Sequence, residues 1–112
     1  MLIAVVAFRY ATAEDVERVV ASARVLQRAS RSEPGLRHYA WSRDLDDPLV
    51  LHVVEVYDDR AALEAHLDGP ALRDHLARTA PIPKEVVARR ATDGGHPVDV
   101  AALRHARRGG RS

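Results

Sequence analysis

From Leu2 to Arg9 the chain is apolar at both alternating sets of positions, Leu2, Ala4, Val6 and Phe8 in one and Ile3, Val5 and Ala7 in the other. A strand patterned in this way needs cover on both faces. Thr12 then offers an N-cap, Glu14 and Asp15 follow in the first turn, and Val16, Val19, Val20, Ala23 and Gln27 recur at helical spacing to about Ser30. Pro34-Gly35 closes that connection. Residues 36–43 alternate again, with Arg37, Tyr39, Trp41 and Arg43 on one face and Leu36, His38, Ala40 and Ser42 on the other. Asp44 to Pro48 forms a turn into Leu49 to Tyr57, a Val-rich run apolar on both faces, so the two segments form a hairpin. Asp58 is the expected cap of a helix carrying Leu63 and Leu67, which Gly69-Pro70 breaks and restarts with Leu72 and Leu76. Pro81 and Pro83 stop it, and Glu85 to Arg90 makes a weaker last strand.

The order β-α-β-β-α-β defines an α+β fold of the ferredoxin-like type with a four-stranded antiparallel sheet. Two helices cover one face of such a sheet, yet three strands are apolar on both. The pattern therefore implies a homodimer in which two sheets pack face to face. One domain is expected over residues 1–91, followed by a tail over 92–112. Arg104, Arg107, Arg108 and Arg111 make that tail basic, and its Gly and Arg content reads as a flexible, solvated terminus.

Composition narrows the classes. Hydrophobic residues make up 46% and charged residues 29%, which is ordinary for a globular protein and not for a disordered one. The net charge of +1 leaves no basic face for nucleic acid. The apolar opening MLIAVVAF lacks a basic flank and is too short to span a bilayer, so no membrane partner is expected. Cysteine is absent, which excludes a disulfide framework and a thiolate nucleophile and is compatible with the expected cytoplasmic location.

No Gly-rich phosphate loop, nucleophile elbow, HExxH helix or carboxylate cluster is present, so neither a metal nor another cofactor has a visible foothold. Candidate chemistry falls to the histidines and aromatics. His66 and His75 each lie three residues after a stripe leucine, at the rim of the helix face that meets the sheet. A histidine there suits proton transfer near neutral pH, and a helix-surface or capping role is the competing account. His38 and His52 sit inside paired strands, where either a hydrogen-bonded seam position or a site role accounts for them. Tyr39 and Trp41 share one strand face and, with Tyr57 and Phe8, supply rings that could line a flat pocket or simply pack the core. Glu55, a carboxylate in an apolar strand, calls for a partner, with Arg37, Arg43 or an arginine of a second subunit favoured.

The segment EPGLRHYAWSRDLDDPLVLHVVEVYDDRAALEAHLDGPAL resembles the core signature of the antibiotic biosynthesis monooxygenase family. The resemblance is carried by Glu33, Pro34, Gly35, Tyr39, Ser42, Arg43, Asp44, Asp46, Asp47, Pro48, Glu55, Tyr57, Ala62, Leu63, His66, Leu67 and Pro70. It implies a dimeric α+β barrel and oxidation of a phenolic, hydroquinone or polyketide-like aromatic by O2 without a bound cofactor. In that scheme His66 is the catalytic base, with Trp41 and Tyr39 beside it. Tyr57, His38, His52, His75 and Phe8 are the substrate-binding candidates. The family often carries a Pro-His-Phe run where this chain has Pro70-Ala71-Leu72, and haem-degrading relatives use an asparagine, which this chain lacks. The other functional reading is a non-catalytic dimer that binds a small hydrophobic molecule or assists a pathway enzyme.

Overall fold

The computed structural model describes residues 1–100. The chain runs β1 (Leu2–Tyr10), α1 (Ala13–Ser30), β2 (Leu36–Arg43), β3 (Val50–Tyr57), α2 (Arg60–Asp68), α3 (Pro70–Thr79), β4 (Lys84–Asp93) and β5 (His96–Pro97). The strands form one sheet in the order β2-β3-β1-β4-β5, with every pairing antiparallel. This is the expected ferredoxin-like arrangement with a fifth strand added. The extra strand has a local cause: Gly94 and Gly95 take φ of +57° and +85°, the left-handed pair that a tight hairpin requires, and they turn β4 back onto itself. The boundary drawn at residue 91 thus falls inside β4. The remainder of the expected tail, from residue 101, lies outside the described residues.

Capping sets the helices. The Thr12 side chain accepts the Asp15 amide at 3.0 Å, and the buried face of α1 carries Val16, Val19, Ala23 and Leu26. Asp59, not Asp58, caps α2 by accepting the Ala62 amide at 2.9 Å. Asp58 is drawn away because its carboxylate pairs with Arg37 and its amide bonds the Gly35 carbonyl at 2.8 Å. Gly35 takes φ +79°, and a Cβ there would stand 2.7 Å from the Ala62 Cβ, so this position brings the β2 entry against α2. Gly69 ends α2 and Pro70 opens α3, the first-turn position where the missing proline N–H costs nothing.

Two strand irregularities shape the sheet. A register shift between Leu36 and His38 takes Arg37 out of the alternation, after which Tyr39, Trp41 and Arg43 oppose Glu55, Val53 and Leu51. A second shift in β4 lies opposite Ala7 and Phe8. The Asp44–Pro48 turn is held by side chains, since Asp44 Oδ2 accepts the amides of Asp46 and Asp47 at 3.0 and 2.9 Å.

The helices cover one face, where Phe8, Tyr10, Val16, Val19, Leu26, Tyr39, Leu51, Val53, Leu72 and Ile82 form the main core. A smaller cluster of Leu2, Ala4, Tyr57, Leu63 and Ala91 is joined by Val98 and Val100, so the segment after β5 packs on the helix side of the sheet. On the opposite face Ile3 pairs with Val56 and Val5 with Val54, and Ile3 and Val5 are 43% and 38% exposed. Among the described residues no helix is long and apolar enough to cross a membrane.

Candidate functional site

The register places Tyr39 directly opposite Glu55 and Trp41 opposite Val53, so both rings rise from the sheet on the same side as the carboxylate. The two helices above them contribute one histidine each. His66 from α2 is 1% exposed and His75 from α3 is 4% exposed. Together with Phe8, Lys84, Leu72 and Leu76 these groups line a half-open cleft of about 30 Å³. It has room for a water or two. A larger hollow of about 130 Å³ between α1 and β2 is lined by Gln27, Arg24 and Arg43, and Trp41 lines both spaces. The narrower cleft is the chemically richer one, because it gathers two histidines, a carboxylate and a lysine.

His66 is held by a charged partner. Its Nδ1 lies 2.6 Å from Glu33 Oε1, contributed by the loop between α1 and β2. A carboxylate only accepts, so Nδ1 carries the proton and Nε2 is the nitrogen left for chemistry. Nε2 points toward Glu55 Oε1 at 4.0 Å, beyond hydrogen-bond range. The Tyr39 ring lies 5.1 Å from the imidazole, centroid to centroid. Tyr57 is fully buried and donates its hydroxyl to Glu55 Oε1 at 2.6 Å. Burial, and then the neighbouring Glu55 charge, push the Tyr57 phenol far above its usual pKa, which keeps it a donor. Within the chain Glu55 is thus met by Tyr57 and faces His66, in place of Arg37 or Arg43. Those are engaged elsewhere, Arg37 with Asp58 and Arg43 with Glu17 at 2.9 Å.

His75 is fixed from the other side. Arg78 Nε donates to Ser22 Oγ at 2.9 Å, and Ser22 Oγ lies 2.8 Å from His75 Nδ1. With the arginine donating to it, Ser22 Oγ anchors the imidazole through Nδ1. Burial first, then the charges of Lys84 and Arg78, lower the His75 pKa to about 4. The imidazole is therefore neutral at physiological pH. Its ring lies 5.5 Å from Trp41, and Lys84 Nζ stands 4.4 Å above the Phe8 ring.

The candidates from the sequence divide by sheet face. His66, Tyr39, Trp41, His75 and Phe8 come together around the cleft. Tyr57 stands behind it and positions Glu55 without lining the space. His38 and His52 pair with Val56 and Ser42 on the far side of the sheet. His52 has a structural partner there, with Nε2 2.7 Å from Asp44 Oδ1, and that contact heads the causes that lower the Asp44 pKa. Glu33, Ser22, Arg78 and Lys84 were not singled out for the site, and nothing periodic marks them. Glu33 alone had a signal, as an acidic residue immediately before the Pro-Gly turn that delivers it to α2. Among the described residues no group of three His, Asp or Glu side chains is arranged to hold a metal.

Fold and cleft together define a small ferredoxin-like α+β domain with a histidine-bearing pocket between sheet and helices. The family model for antibiotic biosynthesis monooxygenases matches residues 1–78, and the chain belongs to that family. Among solved structures, a protein of Deinococcus radiodurans described as a candidate antibiotic biosynthesis monooxygenase is similar, with TM-score 0.74 and 22% identity over 89% of this chain and 98% of that one. An antibiotic biosynthesis monooxygenase structure matches at TM-score 0.69 and 25% identity, covering 84% and 98% of the two chains. A Mycobacterium tuberculosis protein matches at TM-score 0.69 and 23% identity, covering 90% and 99%. No curated protein matches the chain in sequence.

Proposed function

We propose that the chain is a cofactor-independent monooxygenase that oxidises a phenolic, hydroquinone or polyketide-like aromatic with O2, with His66 as the general base. The observation that carries this reading is the geometry at His66, whose Nδ1 is tied to Glu33 while its Nε2 faces Glu55 across a 4.0 Å gap under the Tyr39 ring. That gap suits a substrate hydroxyl, with Nε2 taking its proton and Glu55 held back by Tyr57. A deprotonated ring is electron-rich and passes one electron to O2. The radical pair then collapses to a peroxide at a ring carbon, and loss of water leaves a carbonyl. For a ring methylene the sum is CH2 plus O2 giving C=O plus H2O, so no other reductant is needed. Trp41, Tyr39 and Phe8 orient the ring and limit water in the cleft.

The same reading includes a homodimer through the open sheet face, supported by the exposed Ile3 and Val5 and their partners Val56 and Val54, and a cytoplasmic location. Oxygen uptake with an anthrone or a reduced naphthoquinone, without added metal, flavin or haem, tests the activity. His66→Ala is expected to lower the rate by about 10² to 10⁴. Unchanged turnover removes His66 from the mechanism. Ligand binding with no oxygen uptake above background replaces this reading by that of a non-catalytic binder.

A further inference from the structure

Contacts order the lining of the cleft from one end to the other. Glu55 and His66 stand at one end, and Tyr39 lies 5.1 Å from His66. Trp41 Nε1 donates to the Tyr39 hydroxyl at 3.3 Å. His75 lies 5.5 Å beyond Trp41, Phe8 stacks on the same indole at 6.1 Å, and Lys84 Nζ is 4.4 Å from Phe8. Along this series the charge changes sign. Glu55, with Glu33 behind His66, makes one end anionic, while Lys84 and Arg78 make the other cationic.

We propose that the cleft takes a hydroxylated aromatic acid, with its hydroxyl at the Glu55–His66 end and its carboxylate at the His75–Lys84 end. This rests on the cleft being the ligand site of the proposed function, and it deepens that reading by naming a substrate class and a specificity residue, Lys84. A carboxylate placed beside Glu55 would meet like charge in a partly buried site, so the reverse orientation is disfavoured. At the other end Lys84 is solvent-exposed and can reach an incoming anion, and charge-assisted hydrogen bonds are the strong ones. His75 packs on Trp41 at this end, anchored through Nδ1 by Ser22, to which Arg78 donates. Its low pKa keeps it uncharged at neutral pH. Ser22 and Arg78 are positioning residues in this scheme.

The test is calorimetric titration of the full chain, under nitrogen and at fixed ionic strength, with a naphthol and with the same naphthol bearing a carboxylate on its far ring. The acid is expected to bind about tenfold tighter. Lys84→Met should reduce that preference to less than about twofold, and Lys84→Arg should keep most of it. Equal affinities in the wild type, a preference that survives Lys84→Met, or no binding of the naphthoate overturns the proposal. Because oxygen is excluded, the result is separate from turnover. A retained preference in a protein that consumes no oxygen sinks the monooxygenase reading and leaves the specificity standing.

Discussion

Glu33 and His66 stand 33 positions apart in the chain, yet their side chains meet at 2.6 Å. The contact joins the α1–β2 loop to α2 and sets which imidazole nitrogen faces the cleft. Gly69 lies against it, since a Cβ there would come within 3.1 Å of Glu33 Oε2. The proposed base, its orienting carboxylate and the Gly69-Pro70 helix break form one structural unit.

Removing that carboxylate should be felt in stability as well as in chemistry. Glu33→Ala leaves the Nδ1 proton of a buried histidine without its partner and is expected to cost about 2 kcal/mol in urea unfolding. Glu33→Gln keeps an acceptor oxygen and should cost less than half as much. Equal losses for the two variants would show that the hydrogen bond is not the stabilising element.

Gly35 is constrained twice, by its left-handed φ of +79° and by its approach to Ala62. Gly35→Ala should destabilise the fold by about 2 kcal/mol, from backbone strain together with the clash. Pairing it with Ala62→Gly removes the clash alone. A partial recovery in thermal melting is the expected outcome, and full recovery would mean that the φ carries no cost.

His75 makes stability pH-dependent in a defined window. Its folded pKa of about 4 lies below its unfolded value of 6.5, so the unfolded chain binds more protons between those limits. Stability is complete above about pH 6.5 and falls as pH drops toward 4, by on the order of 2 kcal/mol from this group. Urea midpoints measured from pH 7 to pH 4 should show this slope, and His75→Gln should flatten it. Asp44, whose pKa is lowered by His52 and then by the Asp47 and Asp46 amides, acts in the same direction at more acidic pH.

A charge on the open face should separate subunits without unfolding them. Val5→Glu places a carboxylate among Ile3, Val54 and Val56, and light scattering is expected to move from twice the 12.3 kDa chain mass to the chain mass itself. Circular dichroism should stay unchanged. A wild type that already scatters as a monomer at micromolar concentration would refute the dimer.

Much of the fold was legible along the chain because its cues are local: the Thr12 cap, the Val-rich β3, the proline stops after α3. The Gly94-Gly95 hairpin was legible too, as a turn dipeptide, but it was absorbed into a tail defined by composition. Asp58 and Asp59 were equally able to cap, and the choice between them depends on Arg37, which a β-bulge swings out of its strand. The aromatic and histidine members of the cleft could be nominated by type and spacing. Their partners could not, since Glu33–His66 and Ser22–His75 are contacts between elements that only tertiary packing brings together. For the same reason His38 and His52 stood among the substrate-binding candidates, although strand register places them on the face opposite His66.

The edges of the sheet tell how this protein can associate. At one margin the Trp41 backbone N–H, which would otherwise offer itself to a foreign strand, donates to the Gln27 side chain of α1 at 2.8 Å. At the other, β5 is two residues long and ends on Pro97, whose nitrogen has no proton to donate. The β2 margin is thereby a poorer template for strand addition, the route by which sheets grow into open-ended fibrils, whereas β5 covers only Thr92 and Asp93 of β4. The homodimer proposed above would use the broad face instead, where contact between two copies closes on itself.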